Sequence, residues 1–140
     1  MKPYISVITI GVDDLERSLI FYRDGLGIQT EGIIGEEFEH GAVVFIDLQS
    51  GVKLALWHRK DLAHEAGLPL GQPNPTEFTL GHNVASKEEV DEVMEQARLA
   101  GAHIATPAQE AFWGGYSGQF QDPDGHLWEI VWNPAWELEE

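Results

Sequence analysis

The chain has 140 residues, 43% of them hydrophobic and 23% charged, which is enough for one domain with a buried core and unlike a disordered sequence. It contains no cysteine, which excludes disulfides, thiolate zinc sites, iron–sulfur clusters and a cysteine nucleophile. Its formal net charge of −16 at pH 7 argues against nucleic-acid and membrane partners, because their phosphates and anionic lipids carry the same sign, and it would attract a cationic small molecule.

No membrane span or leader peptide is predicted. The longest unbroken apolar run, residues 42–46, has five residues, which is far short of a membrane span, and residues 1–10 hold no sustained apolar segment. We therefore expect a cytoplasmic protein.

Two helices are predicted, each from a capping signal followed by apolar residues at helical spacing. Residues 13–16, Asp-Asp-Leu-Glu, form an acidic N-cap signal, and the apolar stripe that follows runs to Leu26. Residues 86–89, Ser-Lys-Glu-Glu, form a capping box, and Gly101 marks the end of the second helix. The apolar stripe of the second helix consists of Val90, Val93, Met94 and Ala97.

Each predicted helix follows one strand-like segment and precedes three more, which gives the order β-α-β-β-β twice. The predicted strands are residues 4–10, 28–34, 42–48 and 52–58, then 77–84, 103–107, 116–121 and 126–132. A Pro-rich linker, 71–75, separates module one, 1–70, from module two, 76–140. Because each half is too small for a good core, we expect one α+β domain in which the two modules pack around a shared cleft.

Two segments resemble the glyoxalase/bleomycin-resistance/dioxygenase family, also called the vicinal oxygen chelate superfamily. The first is Val-Asp-Asp-Leu-Glu-Arg-Ser at 12–18, which runs into Phe-Tyr at 21–22 and Gly-Leu-Gly at 25–27; the second is Phe-Gln-Asp-Pro-Asp-Gly-His-Leu-Trp-Glu-Ile at 120–130. The resemblance covers nearly the whole chain. It implies two βαβββ modules that form a curved mixed sheet around a cleft, and a homodimer.

The resemblance also implies where a metal would bind. Metal-dependent members take four ligands from the first and last strands of the two modules. An offset of 75 residues between the halves, which matches Trp57 with Trp132, helps to place these positions at Val7, Leu54, Thr79 and Glu129. Two aliphatic groups, a hydroxyl and one carboxylate do not hold a divalent metal, so no cofactor is expected. The alternative is a divalent metal held by Glu129 with His82, which requires a β-bulge that turns His82 inward.

Glu129 is the predicted catalytic residue, because a lone carboxylate in an apolar cleft could act as a general base or hold a cationic group. A structural, hydrogen-bonded Glu129 is the alternative. Strand alternation around it predicts a ligand-binding floor that includes Val7, Leu54, Leu56 and Thr79, and leaves Trp57 and Trp132 in the core.

Residues 112–118 add large aromatic rings between glycines, an arrangement typical of an adaptable wall for a flat ligand. Trp113 and Tyr116 are therefore predicted to bind ligand, although aromatic side chains that only support a strand entrance would give the same pattern. His40 and Glu39 fall in a polar loop and are predicted to form a solvated rim.

The sequence leaves two classes of function open. One is a binding protein for an aromatic or cationic small molecule, similar to the antibiotic-resistance members. The other is a lyase, isomerase or dioxygenase-type enzyme acting on a small carbonyl or aromatic compound.

Overall fold

A computed structural model describes residues 1–138. The chain divides into two units, Met1–Gln72 and Pro73–Glu140, and each unit holds one four-stranded mixed sheet with its helices. The predicted α+β class and the repeated β-α-β-β-β order are confirmed. None of the helices within residues 1–138 is long and apolar enough to cross a membrane.

The first unit follows the predicted order and adds a short helix at its end. Its elements are β1 (Val7–Val12), α1 (Leu15–Leu19), β2 (Ile33–Ile34), β3 (Val43–Asp47), β4 (Lys53–His58) and α2 (Arg59–Ala66). The sheet order is β1-β4-β3-β2, with β1 parallel to β4 and the other pairs antiparallel. Asp14 caps α1 by accepting a 3.1 Å hydrogen bond from the Arg17 backbone N–H, and the helix continues as a π-helical segment, Ile20–Gly25.

Two elements of the first unit differ from the prediction. The strand expected at residues 28–34 shrinks to Ile33–Ile34, because the Thr30 hydroxyl donates to the Phe45 carbonyl at 2.7 Å and accepts from the Gly32 N–H at 3.2 Å. These bonds fold the segment into a local turn. Helix α2 was not predicted, since it buries no residue and therefore carries no apolar stripe to reveal it.

The second unit repeats the order. Its elements are β5 (Leu80–Asn83), α3 (Lys87–Leu99), β6 (His103–Glu110), β7 (Tyr116–Gln121) and β8 (Leu127–Trp132), and the sheet order is β5-β8-β7-β6. The predicted cap of α3 is present: the Ser86 hydroxyl accepts from the Glu89 N–H at 3.1 Å, and the Glu89 carboxylate accepts from the Ala85 N–H at 3.2 Å. Helix α3 packs on the sheet through the predicted stripe, of which Val90, Met94 and Ala97 are buried.

The strand register corrects the overlay of the two halves. Phe45 pairs with Ala55 in the first sheet, and Gln119 pairs with Glu129 in the second, which gives an offset of 74 residues rather than 75. Side chains alternate between faces along a strand, so an error of one residue exchanges the two faces. Phe45 accordingly is 39% exposed, whereas Phe120, its supposed counterpart, is 1% exposed.

This register overturns the predicted placement of Leu54 and Leu56. They are 1% and 0% exposed and lie in the core, where α1 packs on β3 and β4. Their predicted position on a ligand-binding floor is therefore wrong. The assumed offset of 75 residues is one too long, and it assigned both leucines to the opposite face of β4.

The register can be tested by comparing two truncations. Leu56→Ala should lower the free energy of unfolding by about 2–5 kcal/mol, because it leaves a cavity in a closed core. Val7→Ala, at a position that is 45% exposed, should change it by less than about 1 kcal/mol. Urea denaturation measures both values. Equal losses in the two variants would contradict the register.

Candidate functional site

The face of the first sheet that lies away from α1, here called the open face, carries an apolar cavity. Its volume is about 390 Å³. Because alternate residues share a face, the strands supply one set of side chains to it, and the loop before β3 supplies the rest. The lining residues are Val7, Thr9, His40, Gly41, Val43, Phe45, Ala55 and Trp57.

Two aromatic side chains contribute to the lining of this cavity. Phe45 is 39% exposed on β3, and Trp57 is partly exposed on β4. The Trp57 indole N–H donates a 2.9 Å hydrogen bond to the His40 carbonyl, which ties the strand to the loop before β3. Trp57 therefore lies at the open face, and its predicted place in the core is wrong for the same reason of register.

The loop that carries His40 is held tightly. The Phe38 N–H donates to the Gly35 carbonyl and the Gly41 N–H donates to the Phe38 carbonyl, both at 3.1 Å. A Cβ atom on Gly41 would lie 2.6 Å from the Gly35 carbonyl oxygen, so this position needs glycine. His40 has a φ of 62°, in the left-handed region that costs a non-glycine residue about 1–2 kcal/mol. Strain of this kind is concentrated at functional sites.

Asp61 of α2 brings two histidines together beside the cavity. The Nδ1 atom of His40 lies 2.6 Å from Asp61 Oδ1, and the Nδ1 atom of His58 lies 3.3 Å from Asp61 Oδ2. The His40 ring also stacks on His64, with 4.1 Å between the ring centroids. The Asp61 side chain is 15% exposed, whereas the side chains of His40 and His58 are 37% and 36% exposed, so the carboxylate is the more buried partner of each contact.

The environment of Asp61 keeps it ionised. Burial acts to raise the pKa of this carboxyl, but the hydrogen bonds and charges of His40 and His58 outweigh it, so the pKa lies below its usual value. Sequence reasoning missed this cluster, because His40 and Asp61 are 21 residues apart and meet only through the fold. The spacing of His58 and Asp61 at i and i+3, directly after a strand, was the available signal.

A larger cavity of about 530 Å³ also borders Phe45, but its other lining residues are mostly polar or charged. Lys53, which lines it, forms an ion pair with Asp47, and the side chains of both are largely exposed. An exposed ion pair contributes little free energy and does not define the shape of a binding site. The apolar cavity is therefore the stronger candidate for a ligand site.

Glu129 lies on β8, on the face away from α3, where Gln119 is its partner. The Gln119 amide donates a 3.3 Å hydrogen bond to Glu129 Oε2, and the Thr106 hydroxyl donates to the Gln119 carbonyl oxygen, also at 3.3 Å. Glu129 is partly buried, and its neighbour across the parallel pair is Gly81, which has no side chain. The structure thus shows a hydrogen-bonded Glu129 and leaves its predicted catalytic role untested.

The other predicted ligand-binding residues are dispersed. Val7 lines the cavity of the open face. Thr79 is exposed just before β5 and donates to the Leu127 carbonyl at 3.2 Å. Trp113 is 44% exposed in the turn between β6 and β7, with its ring over the backbone of Gly115.

Tyr116 lies on the α3 side of the second sheet, opposite the face of Glu129. Its hydroxyl donates a 2.7 Å hydrogen bond to Asp91 Oδ1, and Lys87 Nζ lies 5.7 Å from its ring centroid. The hydrogen bond to Asp91 is the main cause that raises the pKa of Tyr116, with burial and nearby carboxylates adding to it. Tyr116 and Glu129 therefore point to different faces of the second sheet, and the predicted ligand-binding role of Tyr116 stays a prediction.

The donor atoms do not fit the metal that the resemblance implies. His82 pairs with Ile130 in the sheet, so regular alternation turns it away from the face of Glu129. Across residues 1–138, no three His, Asp or Glu side chains are arranged to hold a metal ion. Carboxylate, amide and hydroxyl oxygens at the positions described give no set for a transition metal. That the protein carries no stoichiometric metal stays a prediction for elemental analysis.

The sequence matches the model of the Glyoxalase/Bleomycin resistance protein/Dioxygenase superfamily over residues 4–130, and the chain belongs to this superfamily. Among solved structures, a glyoxalase-related enzyme from Fulvimarina pelagi is 34% identical, with a TM-score of 0.85 over 98% of this chain and 93% of that chain. No curated protein matches the sequence significantly.

Two further solved structures share the fold at lower identity. A lactoylglutathione lyase from Agrobacterium tumefaciens is 21% identical, with a TM-score of 0.70 over 99% of this chain and 100% of that chain. A fosfomycin resistance protein from Listeria monocytogenes is 22% identical, with a TM-score of 0.66 over 93% of this chain and 90% of that chain. At these identities the likeness extends to the fold alone.

The bridge made by Asp61 predicts a pH-dependent contribution to stability. Asp61→Asn should lower the free energy of unfolding at neutral pH by about 1 kcal/mol, because it weakens hydrogen bonds to a charged group. A carboxyl whose pKa is lowered by folding stabilises above its unfolded pKa of about 3.9, and this stabilisation is lost as the pH falls through the lower folded value. The difference between the two proteins should therefore shrink below about pH 4.

Chemical denaturation at several pH values measures this difference. Asp47→Asn is the matched control, because the Asp47 side chain is 81% exposed and its removal should cost little at any pH. An Asp61→Asn variant as stable as wild type at neutral pH would contradict the bridge.

Proposed function

We propose that the protein binds a small aromatic molecule against the open face of the first sheet. The observation that carries the proposal is the apolar cavity of about 390 Å³ with Phe45 and Trp57 in its lining. An apolar cavity with a few polar groups is the usual form of a small-molecule site, and aromatic side chains give offset-stacked or edge-to-face contacts to a ligand ring.

The net charge of the chain restricts the chemical class of the ligand further. A formal net charge of −16 repels anions, so the proposal favours neutral or cationic aromatic compounds. The names of two solved relatives refer to small molecules. One is a lactoylglutathione lyase, and the structure of the fosfomycin resistance protein contains Mn(II) and a dihydroxypropylphosphonic acid. These names support binding of small molecules in general and identify no ligand for this chain.

An enzymatic function at Glu129 is the second candidate. Its support is the partly buried carboxylate held by Gln119, which is suited to moving a proton or binding a cationic group. A homodimer and a cytoplasmic location also stay predictions, for which sedimentation and cell fractionation are the tests.

The Phe45→Ala variant distinguishes ligand binding at the open face from a function at Glu129. Thermal melts of wild type with a panel of neutral and cationic aromatic compounds should identify ligands that raise the melting temperature. In Phe45→Ala the affinity of these ligands should fall about tenfold, because the ring contact is lost. The unliganded melt should change little, since Phe45 is 39% exposed.

Two control variants locate the site. Phe112→Ala makes the same chemical change in the β6–β7 turn, where the side chain is fully exposed, and should leave ligand affinity unchanged. Glu129→Gln should also leave it unchanged. Loss of affinity in Phe112→Ala or Glu129→Gln, with Phe45→Ala unaffected, would contradict the proposal and favour a site in the second unit.

A further inference from the structure

The apolar cavity has one titratable group in its lining, His40, and the surroundings of its ring define what that group can do. Asp61 lies 2.6 Å from His40 Nδ1 and stays a carboxylate, so it acts only as a hydrogen-bond acceptor. Nδ1 therefore donates its proton to Asp61. The other ring nitrogen, Nε2, is the one left to contact a ligand.

The ring is also fixed in position. His64 stacks on one face of it, the Trp57 indole holds the His40 carbonyl, and the tight loop places the residue at a left-handed φ. The remaining charged neighbour is Glu39, whose Oε1 lies 3.5 Å from Nε2. The Glu39 side chain is 90% exposed, so water screens it and a ligand can displace it at little cost.

We infer that His40 is a ligand-binding residue whose Nε2 forms a hydrogen bond with a hydroxyl of the ligand, which makes the ligand class a phenol. The aromatic ring of the phenol rests against Phe45 and Trp57, and its hydroxyl meets His40. Asp61 is a positioning residue, because it acts only through the tautomer and orientation of His40. This inference rests on the proposed function and adds the chemistry of the polar end of the ligand.

A pair of probes of the same shape tests the inference. A naphthol and the corresponding methylnaphthalene share one ring system and carry a hydroxyl and a methyl group at the same place, so a change of their affinity ratio between two protein variants reports the hydrogen bond and not the apolar contact. The ratio of naphthol affinity to methylnaphthalene affinity should be roughly fivefold higher in wild type than in a variant without the His40 ring, which is the usual net effect of one hydrogen bond. Fluorescence titration of the full-length protein measures both affinities.

His40→Asn should reduce this ratio about fivefold while leaving the affinity for methylnaphthalene within about twofold, because one hydrogen bond is removed and the apolar contact stays. Asparagine tolerates a left-handed φ, so the loop can keep its shape. His103→Asn, at an exposed position on β6, is the matched control and should keep the wild-type ratio. Asp61→Asn should lower the ratio, since the His40 ring then loses the carboxylate that orients it.

The outcomes separate this inference from the proposed function. An unchanged ratio in His40→Asn would overturn the role of His40 and leave aromatic binding intact. Failure of both probes to bind, together with failure of the whole aromatic panel, would overturn the proposed function and this inference with it.

Discussion

The pairing of Phe45 with Ala55 in the β3–β4 hairpin is the constraint on which the rest of the first unit depends. Because side chains alternate along a strand, this register sends Leu54 and Leu56 into the core beneath α1 and turns Phe45 and Trp57 toward the open face. A shift of one residue would bury the aromatic side chains and expose the leucines. The apolar cavity exists only in the observed register.

The parts of the fold that local signals encode could be predicted from the sequence. Helix α3 follows from its capping box and its apolar stripe, and the Asp-Pro-Asp-Gly turn fixes the start of β8. The register between the halves could not be predicted in the same way, because matching Trp57 with Trp132 looks natural in the sequence and differs from the true offset by a single residue. Helix α2 buries no side chain, so its sequence has no apolar stripe from which the helix could be predicted.

The candidate site was less predictable than the fold, for the same physical reason. Val7 lines the cavity of the open face, and its ligand-binding role stays a prediction. The cluster of His40, Asp61 and His58 depends on α2, which was not predicted, and on a loop held by two glycines. His40 was expected in a solvated rim. Its side chain is 37% exposed, as expected of a rim, and its ring is in addition held by a carboxylate and a stacked histidine at the edge of an apolar cavity.

The most direct test of the account is NMR of methyl-labelled protein titrated with an aromatic ligand from the panel. The account predicts that the methyl resonances of Val7 and Val43 shift with ligand concentration, because both side chains line the cavity, while those of Leu54 and Leu56 shift little. Shifts confined to Leu127 and Val131, which flank Glu129 on the same face of β8, would contradict it and place the ligand in the second unit.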